Sequence, residues 1–196
     1  MHRLAAILLV IATAACAGPH AGDGMYNGYE TPDWTVERSD GDFEIREYAP
    51  YLAAEVTYPG APDSALRRGF RTLAGYIFGK NDGGAKVSMT APVTRAPAEN
   101  GWTVRFMMPK DRDRGTLPAP GDPDVDIVTV EPGRRAVLAF SGWATESRLA
   151  RKARELDQRA AASGLRLSGP VTAAWYDDPF TLPWRRLNEV SRRIAD

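Results

Sequence analysis

The chain has 196 residues, 43% of them apolar, with 15 prolines and 18 glycines. That is enough for one well-covered core in a turn-rich globular protein. Its 25 basic residues balance 25 acidic ones, so no net field draws it to nucleic acid, and its single cysteine excludes an intrachain disulfide.

The chain opens with MHRLAAILLVIATAA, a short basic start before an uncharged run from Leu4 to Ala15. The run is too short to span a bilayer and has the form of an export signal over residues 1–15. It ends in TAAC, where small residues precede Cys16 as a bacterial lipoprotein signal requires. Cleavage after ACA is the alternative and would discard Cys16. Residues 16–33 read as a Gly-rich tether, leaving 34–196 as the folded domain. The expected location is the cell envelope, either membrane-anchored through a lipid on Cys16 or free in the periplasm.

Both histidines, His2 and His20, fall in the signal or the tether. From residue 34 onward there is neither histidine nor cysteine, which excludes His/Cys zinc sites and Ser-His-Asp or Cys-His catalysis. GKNDGG, residues 79–84, lacks the spacing of a phosphate loop. A general base would have to be a carboxylate, a lysine or a tyrosine.

The segment FEIREYAPYLAAEVTYPG (43–60) aligns without a gap on VDIVTVEPGRRAVLAFSG (125–142). Ile45 falls over Ile127, Pro50 over Pro132, Ala54 over Ala136 and Gly60 over Gly142. With Trp143 as one extra residue, Leu66, Arg68 and Leu73 fall over Leu149, Arg151 and Leu156, and APVT (91–94) over GPVT (169–172). The chain therefore contains an internal duplication, 36–110 and 125–196, joined by the charged, proline-rich crossover 111–124.

Each half begins with two runs of period-two alternation. FEIREY and LAAEVTY, with a Pro-Tyr turn between them, read as a hairpin. A helix follows, APDSALRRGFRTLAGYIFG in the first half and TESRLARKARELDQRAAASG in the second. Two further strands close each unit: AKVSMTAPVT and WTVRFMMP, then 166–175 and 186–194. The expected fold class is α+β: duplicated β-β-α-β-β units forming a distorted eight-stranded antiparallel barrel flanked by two helices. Such a barrel holds side chains or one small ligand.

FEIREYAPYLAAEV, YIFGKN, KVSMTAPV, FMMP, LPAPGDPDV and WYDDPFTLPWRRLNEV, in that order, resemble the SOUL heme-binding protein family from about Val36 to Val190. The resemblance implies the same duplicated barrel, similar to the ligand-binding domains of GyrI-like effector-binding regulators. It also implies binding of heme or another tetrapyrrole in a shallow apolar groove beside a helix. Some members use an axial histidine, and this chain departs from them because its fold contains none. Heme iron would be met by tyrosine, methionine or water, with affinity coming mostly from burial of the macrocycle.

Leu66, Phe70, Leu73 and Ile77 form one helical stripe whose commoner role is core, with pocket wall as the alternative. Arg67 and Arg71 suit the carboxylates of a propionate-bearing ligand, or simply a solvated face. Met89 fits a flat aromatic ligand or a core gap. Tyr176 is the phenolate candidate for iron, against the alternative of a plug at the barrel end. Asp177 and Asp178 are the one hint of acid/base chemistry, although adjacent acids before proline commonly fix a turn. The leading expectation is a non-enzymatic binder of heme or a related tetrapyrrole. The alternatives are a hydrolase acting on a tetrapyrrole or other hydrophobic ester, and an envelope module taking a lipid or peptide. In KVSMTAPVT (86–94), the duplication assigns Pro-Val-Thr to the scaffold and directs attention to Met89, which the second half does not repeat.

Overall fold

The computed structural model describes residues 24–195. The expected export signal, Cys16 and the rest of the chain through residue 23 lie outside the described residues. Eleven strands and two α-helices follow in order: β1 (Met25–Tyr26), β2 (Tyr29–Glu30), β3 (Trp34–Asp40), β4 (Phe43–Tyr48), β5 (Tyr51–Tyr58), α1 (Pro62–Ile77), β6 (Val93–Ala98), β7 (Gly101–Met107), β8 (Asp126–Val130), β9 (Gly133–Phe140), α2 (Glu146–Ala162), β10 (Leu167–Trp175) and β11 (Asn188–Ile194).

Nine strands form one antiparallel sheet in the order β3-β4-β9-β11-β10-β6-β7-β5-β8. The duplication is visible in it, because β9-β11-β10 mirrors β5-β7-β6. The first strand of each half pairs with the second strand of the other: Ile45 of β4 lies opposite Ala136 of β9, and Ala54 of β5 opposite Ile127 of β8. The hairpin expected from FEIREY and LAAEVTY therefore does not form. Tight hairpin loops need residues at positive φ, and the connection Ala49-Pro50 contains neither Gly nor Asn, so the chain crosses to the other half instead. The sheet also gains β3, which the eight-strand reading did not include, and it pairs with β4. The segment expected as a strand from Ala85 becomes extended chain until Val93, where β6 begins.

Each helix covers its own apolar cluster. α1 opens with Pro62 at its first position and Asp63 in its first turn, both favourable at a helix start. It packs Leu73, Tyr76 and Ile77 on Val56, Val104 and Phe106. α2 begins at Thr145, whose side chain accepts a hydrogen bond from the Arg148 amide. Its Leu149, Leu156 and Ala160 pack on Phe43, Ala136, Leu138 and Val190. Burying each such Leu or Phe contributes roughly 1.5–3 kcal/mol. Close packing dictates Gly69: a Cβ there would stand 2.7 Å from Val104 Cβ, so α1 lies on β7 at a distance only glycine permits.

The expected tether does not extend to residue 33. Asn27 and Gly28 take φ of 49° and 86°, the double left-handed turn of a two-residue hairpin loop, and join β1 to β2. Tyr26 and Trp34 are buried in a third cluster with Ala91, Ala174 and Tyr176. Residues 24–33 thus belong to the folded domain.

Candidate functional site: an apolar groove beside the first helix

A groove of about 660 Å3 runs along α1. One wall is the outer face of the helix, carrying Leu66, Phe70 and Ala74. The opposite wall is formed by Met89, Thr90, Ala91 and Val93 and the end of β10 at Trp175. The volume lies inside the ~300–1,000 Å3 usual for small-molecule sites.

The helical stripe read from the sequence splits between two surfaces. Leu73 is 0% exposed and Ile77 1%, both in the core beneath α1, whereas Phe70 is 42% exposed in the groove. The buried stripe is Ala65, Gly69, Leu73, Tyr76 and Ile77. Residues small enough to approach β7 occupy its start, so the helix rotates and turns Leu66 and Phe70 outward. Leu73 must accordingly be withdrawn as a groove residue. Leu66, Arg67, Phe70, Arg71, Met89 and Tyr176 all line the groove.

Phe70 stands edge-on to Phe106, with ring centroids 5.3 Å apart, which ties the groove wall to the core. Trp175 is set by Arg95, whose guanidinium lies between the Trp102 and Trp175 rings at 4.7 and 5.4 Å. The same buried Arg95 donates to Glu146 at 2.8 Å and lies 3.8 Å from Asp63, linking the first turns of both helices. Arg67 and Arg71 are exposed at the groove, one helical turn apart, and neither forms a hydrogen bond or ion pair among the described residues. Two cations without partners among the described residues therefore border an apolar surface.

Tyr176 lines the groove, but its hydroxyl donates to the buried Glu189 Oε2 at 2.8 Å. Glu189 also accepts from Arg46 at 2.9 Å, and Arg46 donates to Glu44 at 2.6 Å. Burial, reinforced by the Glu189 charge, pushes the Tyr176 phenol well above the ordinary tyrosine range. Burial likewise pushes Tyr48, hydrogen-bonded to Arg46, up to about 12. Burial works against the Arg46 charge, but Glu189 and its neighbours hold the guanidinium protonated well above its ordinary value. These contacts argue against Tyr176 as the phenolate candidate and favour the alternative, a structural plug.

Both groove carboxylates are committed. Asp178 Oδ1 accepts from the amides of Phe180 and Thr181 at 2.7 and 3.0 Å, which fixes the turn. Asp177 Oδ2 accepts from the Leu187 amide at 2.7 Å and the Tyr26 hydroxyl at 2.9 Å. Arg186 holds the same loop through the Pro179 and Thr181 carbonyls. Among the described residues no cluster of three or more His, Cys, Asp or Glu could hold a metal ion. Among the described lining residues, the groups able to ligate a metal that have no side-chain hydrogen bond are the Met89 thioether and the Tyr29 phenol.

Sequence reasoning missed Tyr29, Ala74 and Trp175 as lining residues. Tyr29 carried a signal, the Asn-Gly pair of YNGYE, whose hairpin delivers it to the groove. Val93 of the repeated Pro-Val-Thr also contributes, lining the groove with Ala91 beside Met89.

A nine-stranded antiparallel sheet with two helices and an apolar groove along one of them defines an α+β fold with a groove of small-molecule size. The SOUL heme-binding protein model matches residues 29–193, and the chain belongs to that family. It is 31% identical over 182 residues to heme-binding protein 1 of Mus musculus, covering 86% of this chain and 94% of the mouse protein. It is also 31% identical over 137 residues to heme-binding protein 2 of Homo sapiens, covering 64% and 66% of the two chains. Among solved structures, the EcmrR C-terminal domain matches with a TM-score of 0.59 at 11% identity, covering 79% of this chain and 97% of that one. A hydrolase from Listeria innocua matches with a TM-score of 0.56 at 14% identity, covering 81% and 94%. These two likenesses establish the fold alone.

Proposed function

We propose that the α1 groove binds heme or a related tetrapyrrole without a histidine axial ligand. The observation that carries this reading is the pairing of an apolar slot, walled by Phe70, Met89 and Trp175, with the unpartnered Arg67 and Arg71 beside it. A flat apolar ring bearing carboxylates satisfies both features, and the guanidinium fork matches a carboxylate bidentately. The names of the mouse and human relatives support the same ligand class. Met89 and Tyr29 are the residues able to offer an axial donor, and most of the affinity would come from burial of the ring.

A hydrolase built on Asp177 or Asp178 would have to free a carboxylate that now fixes the 177–187 loop. No feature of the groove favours that reading, nor an enzyme over a binder. The apolar leader and Cys16 support an envelope location, lipid-anchored at Cys16 or periplasmic after cleavage. Near-neutral charge balance gives no reason to invoke nucleic acid. Mass spectrometry of the small molecule that copurifies with the chain tests the reading: a tetrapyrrole is expected, and a lipid or peptide would replace it with a different ligand class.

A further inference from the structure

The sheet face turned away from the helices carries a row of arginines. Arg135 of β9 is the direct cross-strand partner of Arg46 on β4 and of Arg193 on β11. Ile45, Ala136 and Ile194, their neighbours in sequence, pack beneath α2, so strand alternation places all three guanidiniums on the opposite face. Like charges directly opposite one another on a sheet are destabilising unless something compensates them.

Compensation is unequal along the row. Arg46 has Glu44 and Glu189. Arg193 donates to the Glu131 carbonyl at 2.9 Å but meets no carboxylate, and Arg135 forms no hydrogen bond or ion pair among the described residues. Arg105 completes the set from β7, paired with Glu55. Tyr51 joins them from the other half of the sheet: its phenol lies in the fields of Arg135, Arg105 and Arg193 together. Burial raises that phenol, so it stays a hydrogen-bond donor. Burial works most strongly against the Arg135 charge, Tyr51 and Tyr48 partly offset it, and the neighbouring Arg193 and Arg105 add to the cost, so the net effect is unfavourable. Arginine does not relieve such a cost by losing its proton, so solvent or a compensating anion must offset it, and an anion answers the like charges directly. Arg105, Arg135, Arg193 and Tyr51 are only half-buried and so can be reached from solvent.

We propose that Arg135 and Arg193, with Tyr51 and Arg105 beside them, form a second site that binds an oxyanion of the phosphate or carboxylate class. None of these residues lines the α1 groove, so the site stands or falls independently of tetrapyrrole binding.

The test is thermal unfolding of the chain from Ala17 onward, which retains every strand, both helices and all three apolar clusters. Inorganic phosphate and acetate are titrated separately against chloride at matched ionic strength. The midpoint should rise saturably with one or both oxyanions, by about 5–10 °C at a hundredfold excess over Kd. Arg135→Gln should unfold at a higher midpoint than wild type without oxyanion and lose the oxyanion-dependent rise. Isothermal titration with phosphate and acetate on Arg193→Gln gives a second reading if Arg135→Gln does not fold, and binding should weaken at least tenfold. An unchanged wild-type midpoint in both salts, or an equal rise in wild type and variant, overturns the proposal. A rise with phosphate alone selects the dianion, and a rise with acetate alone the carboxylate.

Discussion

The Tyr26 hydroxyl donates to Asp177 Oδ2 at 2.9 Å, joining the first described hairpin to a loop 151 positions further along the chain. The Tyr26 ring also stands edge-on to Tyr176 at 5.2 Å. Tyr26→Phe keeps the ring contact and removes the hydroxyl. The Leu187 amide still satisfies Asp177, so the expected loss is about 1 kcal/mol of unfolding free energy. Urea denaturation measures it, and early proteolytic cleavage near residue 28 should accompany it.

Gly69→Ala should destabilise the protein despite alanine's better helix propensity. The new methyl meets Val104 at 2.7 Å, and Val104 is fully buried and has no room to move. Overpacking costs roughly 1–3 kcal/mol, against about 1 kcal/mol gained in propensity. Thermal unfolding should therefore show a lower or at best equal midpoint, and a clear rise would mean that α1 does not lie so close to β7.

Stability should fall in alkali. Tyr48, Tyr51, Tyr76 and Tyr176 all have phenols raised by burial in the folded state. A raised folded pKa means that the folded protein holds a proton the unfolded chain has released. Stability is therefore fully present below about pH 10 and declines above it, by about 1.4 kcal/mol per pH unit for each such tyrosine. For Tyr48 the decline ends near pH 12. Urea midpoints from pH 9 to 11.5 check the slope, and Tyr176→Phe should make it shallower.

Leu73 and Phe70 separate core from groove. Leu73→Ala should cost about 2–5 kcal/mol of stability and leave ligand affinity unchanged under folded conditions. Phe70→Ala should cost less stability, because 42% of its surface is already exposed, and should weaken ligand binding. Reversal of the two effects would show that the helix is rotated from its described position.

Much of this arrangement was legible in the residues. The duplication and the limits of both helices follow from periodicity and turn chemistry, whereas β6 starts eight residues later than the strand read from Ala85 and runs through Ala96–Ala98, which read as turn. The strand exchange between the halves did not, because pairing partners far apart in sequence leave no local pattern. Ala49-Pro50 did contain a negative signal, since it lacks the positive-φ residues that a tight hairpin needs. Helix rotation was equally hidden: Leu66, Phe70, Leu73 and Ile77 share one helical spacing. What divides them is the small Ala65 and Gly69 on the neighbouring stripe, whose value lies in how closely they let α1 approach β7. Tyr176 looked like a ligand donor because its partner, Glu189, lies on another strand.

The central claim is most directly tested by titrating hemin into the chain from Ala17 onward and recording the Soret band, in wild type and in the Arg67→Ala/Arg71→Ala double variant. A shifted band that saturates near one equivalent is expected for wild type. The double variant should bind more weakly, by up to about fivefold for each exposed charge pair lost. Linear uptake without saturation, or equal affinity in the two proteins, would contradict a carboxylate-bearing tetrapyrrole seated in the α1 groove.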